Sequence, residues 1–458
     1  MRLIKTKKFW LFNLILIFLL TSGLSCKLFP AKTPPTALTQ NVELSWWGVW
    51  DNSSDVQPLI DDFQALHPNI SIKYKKFRYQ EYEQQLLEAW AEDRGPDIYS
   101  IPATWIKKYQ SRIAPMPNSV KLSFQEVTKT LGKTEVNTYV RELGTFSLGD
   151  IKNQFTDVVY NDVILDGRIF GLPFSLDTLV LYYNRDLLDA AGVPTPPANW
   201  TQLKETVKQV TTINQNNSLL QAGIALGAAD NIPRAIDLAS LLMMQNGAQM
   251  SNANGQAAFH LSPSKEKDYF PGLEALKFYT DFADPIKEVY TWNDTQPDAF
   301  EAFVAGQVAM FYGYAYYLPL IKTQAPKLDL GVTGMTQIEG SAAPVNYTDY
   351  WVQTVSHKNK SADAAWGFLT FAARQGEVDK YLNLTRRPTA LRGLVEKQKA
   401  DPELAVFANQ ILNATHWYHG RDVLKMEEYF KQMIKELPAS AEPLLLMEQT
   451  AAKINQTL

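Results

Sequence analysis

The chain is poor in the residues that build covalent and metal frameworks. Among 458 residues there are one cysteine, Cys26, and five histidines. No intramolecular disulfide and no cysteine-based metal cluster can therefore form. Glycine and proline number 23 and 25, below the low-complexity range, and 46% of residues are apolar, which excludes disordered and collagen-like classes. A basic excess is also missing. Residues 26–458 carry 40 basic and 48 acidic side chains, a net of −8, which argues against a nucleic-acid partner. No G-x-S-x-G element or P-loop occurs, so hydrolase triads and nucleotide cradles lack their usual signal. His67, His260, His357, His416 and His419 form no metal constellation. His416 and His419 stand at i, i+3 and could share a helical face, but without acidic or cysteine ligands close by, neither a metal nor a cofactor is expected.

What is present begins with an export pattern. Arg2, Lys5, Lys7 and Lys8 precede an apolar run over residues 9–20 that is too short for a comfortable membrane span, so residues 1–25 read as a signal peptide. Thr21, Ser22, Gly23 and Ser25 lead into Cys26, and this resembles the lipobox of bacterial lipoproteins, in which the cysteine is acylated and becomes the mature N-terminus. Gly23 stands where the lipobox usually carries Leu, and a plain signal with an incidental cysteine is the alternative. Residues 26–41, with Pro30, Pro34 and Pro35, read as an extended tether.

The remaining length exceeds one hydrophobic core. Residues 42–46 alternate as a strand, 56–66 carry apolar residues at helical spacing up to Pro68, and 70–74 alternate again. A second amphipathic helix over 81–92 stops at Gly95 and Pro96, ahead of an apolar strand at 97–101. Such a β-α-β-α-β series implies a largely parallel sheet, with ligands at the carboxyl ends of its strands. Strand-like runs recur at 170–183 and 222–226, helical ones at 200–213, 235–245 and 272–282, and the pattern from 363 onward is mostly helical.

Five segments in order resemble the extracellular solute-binding proteins of bacterial ABC importers, the large sugar-binding family that includes maltose-binding protein. They are WWGVWDNSSDVQPLIDDFQALHPNISIKY from Trp46, GPDIYSI from Gly95, DGRIFGLPFSLDTLVLYYNRDLLDAAGVPTPPANW from Asp166, AFVAGQVAMFYGY ending at Tyr314, and SADAAWGFLTF from Ser361. The third is the most specific. The resemblance implies a periplasmic-binding-protein type II fold, two α/β lobes joined by a hinge, with a helical C-terminal part. It implies crossings at residues 175–178, 331–334 and 356–360. The first lobe would then comprise 42–176 plus 333–358, and the second 177–332 plus 359–458.

A neutral sugar needs flat aromatic surfaces for its C–H faces, and acceptors and donors for its hydroxyls. Trp47 and Trp50 follow the first strand, where a doubly wound sheet presents its ligand loops. Trp46 alternates with Leu44 and belongs to the core. Asp177 lies among apolar neighbours at the expected hinge, where an unpaired carboxylate would be costly; by position it also matches the family's acidic residue that accepts sugar hydroxyls. Trp292 sits in a polar loop. One of Tyr312, Tyr314 and Tyr316 is expected to touch ligand, as is Trp351. Arg387, or its neighbour Arg386, offers several donors at once. Trp417 could be core or cleft wall.

Together these readings describe a lipid-anchored, monomeric sugar-binding component that docks on membrane permease subunits, with no catalytic residue. A secreted glycoside hydrolase, or the same fold carrying a glycerol phosphate ester, are the rivals. Metabolic labelling with palmitate tests the anchor: label on the wild type and none on Cys26→Ser is expected, and an unlabelled wild type would reduce Cys26 to part of a discarded signal.

Overall fold

The computed structural model describes residues 40–130, 133–216, 218–263 and 268–458. Cys26, the signal and nearly all of the tether lie outside them. Strand β1 (Val42–Gly48) buries Leu44 and Trp46 on one face. Helix α1 (Ser53–Leu66) follows, and its first turn is closed by the Asn52 backbone N–H donating to the Asp55 carboxylate at 2.7 Å. Val56, Leu59, Ile60 and Phe63 form its buried stripe. Strand β2 (Ile70–Lys76), helix α2 (Tyr79–Ala91) and the fully buried β3 (Ile98–Pro102) complete the series. Strands β2 and β3 flank β1 in parallel, and Trp351–Val355 adds an antiparallel edge beside β3.

The second sheet runs in the order Thr212–Ile213, Leu219–Ile224, Val308–Gly313, Val180–Asn184, Leu330–Thr333. Ala235–Gln245 is a helix as its spacing predicts, and Trp200–Val210 is one too but stops short of the expected Ile213, because Thr212–Ile213 pairs as the edge strand of this sheet. One large element has no counterpart in the sequence reading: Ser119–Thr130 and Lys133–Gly144 pair over their whole length as a long antiparallel hairpin. Val120, Leu122 and Phe124 alternate with polar residues as a half-buried strand does, a signal that the sequence reading did not use.

Between the lobes lies a third sheet, narrow and made only of crossings. Asp177–Thr178 pairs antiparallel with Asn346–Asp349, which pairs in parallel with Ala414–Thr415. The first expected crossing segment, 175–178, contains one strand of this sheet. The other two do not. Gly331 is inside the second sheet, paired with Tyr183, and the chain crosses only at Asn346–Asp349. Residues 356–360 are a turn after the edge strand Trp351–Val355, and the last crossing is Ala414–Thr415.

The proposed lobe boundaries shift accordingly. Helices Ala362–Ala372 and Gln375–Thr385, expected in the second lobe, pack on the first. Phe368 meets Phe63 with ring centroids 5.3 Å apart, and Lys380 bonds Asp62 at 2.7 Å. The apolar stripe of α1 needs that cover. Only the later helices Val423–Glu436 and Pro443–Asn455 join the second lobe, where Phe430 packs on Phe259 and Asn455 caps the Ala257 N–H.

Gly227, three residues past strand Leu219–Ile224 of this lobe, has φ +99°, and a Cβ there would stand 2.6 Å from the Ala283 backbone nitrogen. Both the dihedral and the close approach demand glycine. Gly227→Ala is expected to cost on the order of 2–4 kcal/mol, read as a lower urea midpoint at unchanged slope.

Candidate functional site

A cavity of about 420 Å³ lies over the crossing sheet, within the roughly 300–1,000 Å³ range of small-molecule sites. Its first-lobe wall comes from the loops after strands. Trp50 follows β1, Tyr79 opens α2, Trp105 follows β3 and Trp351 opens the edge strand. The second lobe contributes Tyr314 and Tyr316, which follow strand Val308–Gly313. These rings form one series. Trp50 stacks on Tyr79 at 5.8 Å and on Tyr316 at 5.5 Å, with interplanar angles of 30° and 29°. Tyr316 continues to Tyr314 at 6.5 Å, while Trp351 meets Trp50 edge-on at 5.9 Å. The Trp50–Tyr316 contact spans the lobes.

Beside the aromatic series the floor is rich in carboxyl groups. Asp177 and Asp349 occupy opposed positions on the paired crossing strands. Asp177 Oδ1 accepts from the Ala315 and Thr178 backbone N–H groups at 2.9 and 2.8 Å. Burial nevertheless pushes its carboxyl up to about 7, against those bonds and with the help of Asp349. Burial likewise raises Asp349, and takes Glu427 up to about 6.

The two arginines of the cavity are already engaged. Arg387 donates through Nη1 to Asp51 Oδ1 and to the Tyr381 hydroxyl, both at 2.7 Å, and through Nη2 to the Trp50 carbonyl at 3.0 Å. Tyr381 in turn donates to Asp51 at 2.7 Å. This knot fixes the loop that carries Trp50. Arg234 donates to Asp237 Oδ2 at 2.7 Å and Asp349 Oδ2 at 3.3 Å, and lies over the Tyr314 ring at 4.7 Å. Tyr314 also donates its hydroxyl to Asp237 at 2.8 Å. Charge in the cavity is thus balanced mainly by internal pairs, and uncommitted acceptor capacity exceeds cationic capacity.

Of the residues singled out in the sequence, Trp50, Asp177, Tyr314, Trp351 and Arg387 meet in this cavity, together with Tyr316. Trp47, Trp292 and Tyr312 do not line it. Trp47 alternates with Trp46 along β1 and so turns to the other face, where it packs on Phe77 at 4.5 Å beneath Lys75. Trp292 is fully buried and donates to Asn231 at 3.1 Å. Tyr312 is buried against Trp200 and bonded to Thr336 at 2.7 Å. Trp417 is core, donating to Ser240. Arg386 caps its helix in a left-handed conformation and pairs with Asp401 and Glu403.

Trp105, Tyr79 and Arg234 went unnoticed in the sequence. Trp105 was accessible to the same argument that marked Trp50, because it too follows a parallel strand. Arg234 carried no signal. The expectation that His416 and His419 lack an acidic neighbour also fails: Asp162, 254 residues before His416, lies 2.8 Å from both rings.

A sequence profile of bacterial extracellular solute-binding proteins matches residues 58–406. A binding protein of Brucella abortus strain 2308 is 26% identical over 225 residues, 48% of this chain and 51% of that protein, so the chain spans about half the length of this curated relative. The fold is similar to a cyclic α-maltosyl-1,6-maltose-binding protein from Arthrobacter globiformis, with TM-score 0.70, 18% identity, and 91% of this chain and 99% of that one covered. It is also similar to an ABC transporter solute-binding protein from Thermotoga lettingae TMO bound with α-D-tagatose, with TM-score 0.67, 18% identity, and 91% and 100% covered.

Removing one partner from the knot around Trp50 leaves the other without compensation. Asp51→Ala is expected to destabilise the protein by about 2–3 kcal/mol, less than for a fully buried pair because Arg387 retains some exposure. Differential scanning calorimetry checks this; an unchanged melting temperature would contradict it.

Proposed function

The chain belongs to the bacterial extracellular solute-binding protein family and has the two-lobed type II periplasmic-binding-protein fold, and from that premise we propose that it is the substrate-binding component of an ABC importer for a neutral saccharide. The observation that carries this reading is the combination of an aromatic series with an acceptor-rich floor whose arginines are already paired. Stacked rings suit the C–H faces of a pyranose, and carboxyl oxygens and amide-held acceptors suit its hydroxyls. A phosphate ester would call for convergent free cations; Arg234 and Arg387 are committed elsewhere, which leaves Lys431, beside Glu427, as a single lining cation without an ion pair among the described residues.

Binding has a defined physical course on this reading. The Trp50–Tyr316 contact joins the lobes with ring centroids 5.5 Å apart, so the rings must part to admit a sugar, and a sugar then seated against both would contact both lobes at once and favour closure of a pre-existing equilibrium. An affinity near the micromolar level corresponds to about −8 kcal/mol. No bond in the ligand is broken. The family places the protein outside the cytoplasm, and no helix among the described residues is long and apolar enough to cross a membrane. Acylated Cys26 would tether it, as a monomer, beside the permease subunits that take up its cargo.

The test is calorimetry of the chain from Ala31 onward against a panel of neutral oligosaccharides, monosaccharides, polyols and glycerol phosphate esters. At least one neutral saccharide should bind near the micromolar level, and Trp50→Ala and Tyr316→Ala should each weaken it by roughly 10-fold or more. Binding only to the phosphate esters would favour the rival cargo, and appearance of shortened oligosaccharides would favour a hydrolase.

Asp177 adds a pH signature. A ligand hydroxyl donating to Asp177 prefers the ionised carboxylate, and its pKa near 7 in the free protein means that binding expels a proton below that pH. Saccharide affinity should rise with pH between about 6 and 8, and Asp177→Asn should flatten the profile. Isothermal titration in buffers of different ionisation enthalpy reads the proton directly.

A further inference from the structure

At the seam between the lobes, apart from the aromatic series, Asp162, His416 and His419 bring three metal-ligating atoms within 4.8 Å of one another. Asp162 belongs to helix Asp157–Val163 of the first lobe. The histidines follow the last crossing strand, Ala414–Thr415, and flank Trp417, which is packed in the second lobe. His416 Nε2 lies 2.8 Å from Asp162 Oδ2, and His419 Nε2 lies 2.8 Å from Asp162 Oδ1. The two rings stack with centroids 4.9 Å apart, and the Tyr350 hydroxyl donates to the same carboxylate. The side chains of Asp162 and His416 are 1% and 5% exposed, whereas that of His419 is 49% exposed. The cluster is thus a buried seat with one ligand at the solvent edge.

Counting protons makes the cluster unusual. His419 Nδ1 is 2.9 Å from the Trp417 carbonyl oxygen, which can only accept, so Nδ1 carries the hydrogen. A neutral imidazole has one N–H, and Nε2 then turns a lone pair toward Asp162 Oδ1. Two acceptors facing each other at 2.8 Å require a cation between them, either a proton or a metal ion. A backbone carbonyl on Nδ1 with Nε2 directed at the ion is also how metal-ligating histidines are usually fixed. His416 likewise turns Nε2 to the carboxylate, but its buried Nδ1 has no partner, so the carbonyl that fixes the His419 ring has no counterpart there.

We propose that Asp162, His416 and His419 form a binding site for one divalent transition-metal ion of the zinc class, bridging the two lobes. Two imidazoles and one carboxylate are a donor set for zinc and its neighbours, whereas calcium and magnesium prefer oxygen ligands throughout. Donors of a tetrahedral zinc site stand about 3.3 Å apart, so each imidazole nitrogen, 2.8 Å from its carboxylate oxygen, needs to draw back by roughly half an ångström, a shift open to the half-exposed His419. The fourth position remains for water or for the Tyr350 hydroxyl. His416 and Tyr350 both line the cleft, so the ion would sit in its wall and favour the closed arrangement by ligating residues of both lobes.

The site stands independently of what the cleft carries, and its test needs no saccharide. Purified full-length protein stripped with chelator is titrated with Co²⁺, followed by visible d–d absorption, and then with Zn²⁺ in competition. One equivalent is expected to bind with tetrahedral-type bands, and His419→Gln and Asp162→Asn should each weaken Zn²⁺ at least ~10-fold. Because Asp162 is buried and its substitution puts folding at risk, the half-exposed His419→Gln, with circular dichroism matching wild type, is the deciding one. Absence of bands and of Zn²⁺ binding below about 0.1 mM, or wild-type affinity in folded His419→Gln, would overturn the proposal.

Discussion

Thr178 and Thr348 pair across the narrow sheet between the lobes, and the next register pair is Asp177 with Asp349. Much of the site depends on that short antiparallel contact. It holds two crossings side by side, and the Thr348 hydroxyl donating to the Asp177 carbonyl at 2.7 Å locks the pair. Gln410, near the third crossing, donates to Thr178 and to the Leu179 carbonyl and accepts from the Met335 N–H. Because the crossings are so short, few backbone dihedrals lie between the lobes, which is the geometry of a hinge. The same pairing sets two carboxyl groups at the floor of the cavity, where burial raises both, with repulsion from Asp349 adding to Asp177 and repulsion from Asp237 adding to Asp349.

That floor explains how the cavity can be charged in composition and still suited to a neutral ligand. Each arginine is spent on structure. Arg387 ties the Trp50 loop to Tyr381 and Asp51, and Arg234 ties Tyr314 and Asp237 to the crossing strand through Asp349. The aromatic rings are therefore held by ion pairs at their edges rather than by apolar packing alone. Trp50 can stay 38% exposed in the cleft and keep one orientation, because its own carbonyl is gripped from behind. Preorganised rings lose little conformational entropy when a ligand stacks on them.

Much of this was legible in the sequence where periodicity and chain punctuation operate. The β-α-β-α-β start, the helix at 235–245 and the greater part of the helix expected over 200–213 follow from apolar spacing, whereas the crossing expected at 175–178 rested on the family resemblance. The return crossings were misplaced because two-to-four-residue strands have no period to read; Gly331 looked like a hinge residue and is a sheet residue pressed against Tyr183. The hairpin over 119–144 was missed although Val120, Leu122 and Phe124 alternate in its first strand, because that apolar stretch is short beside the polar length of the two strands. Among aromatics, loop position marked Trp50 and Trp351 and misjudged Trp292, whose polar neighbours in sequence conceal a buried indole bonded to Asn231. The partners Arg234 and Asp162 come from distant segments, and only the fold brings them in.

The central claim is that a saccharide is held between both lobes and draws them together. Small-angle X-ray scattering of the chain from Ala31 onward, with and without a saccharide that raises its melting temperature, tests this most directly. The account predicts a smaller radius of gyration at saturation in the wild type and a weaker response in Tyr316→Ala. A stabilising saccharide that leaves the radius unchanged, with the lobes as far apart as before, would contradict it.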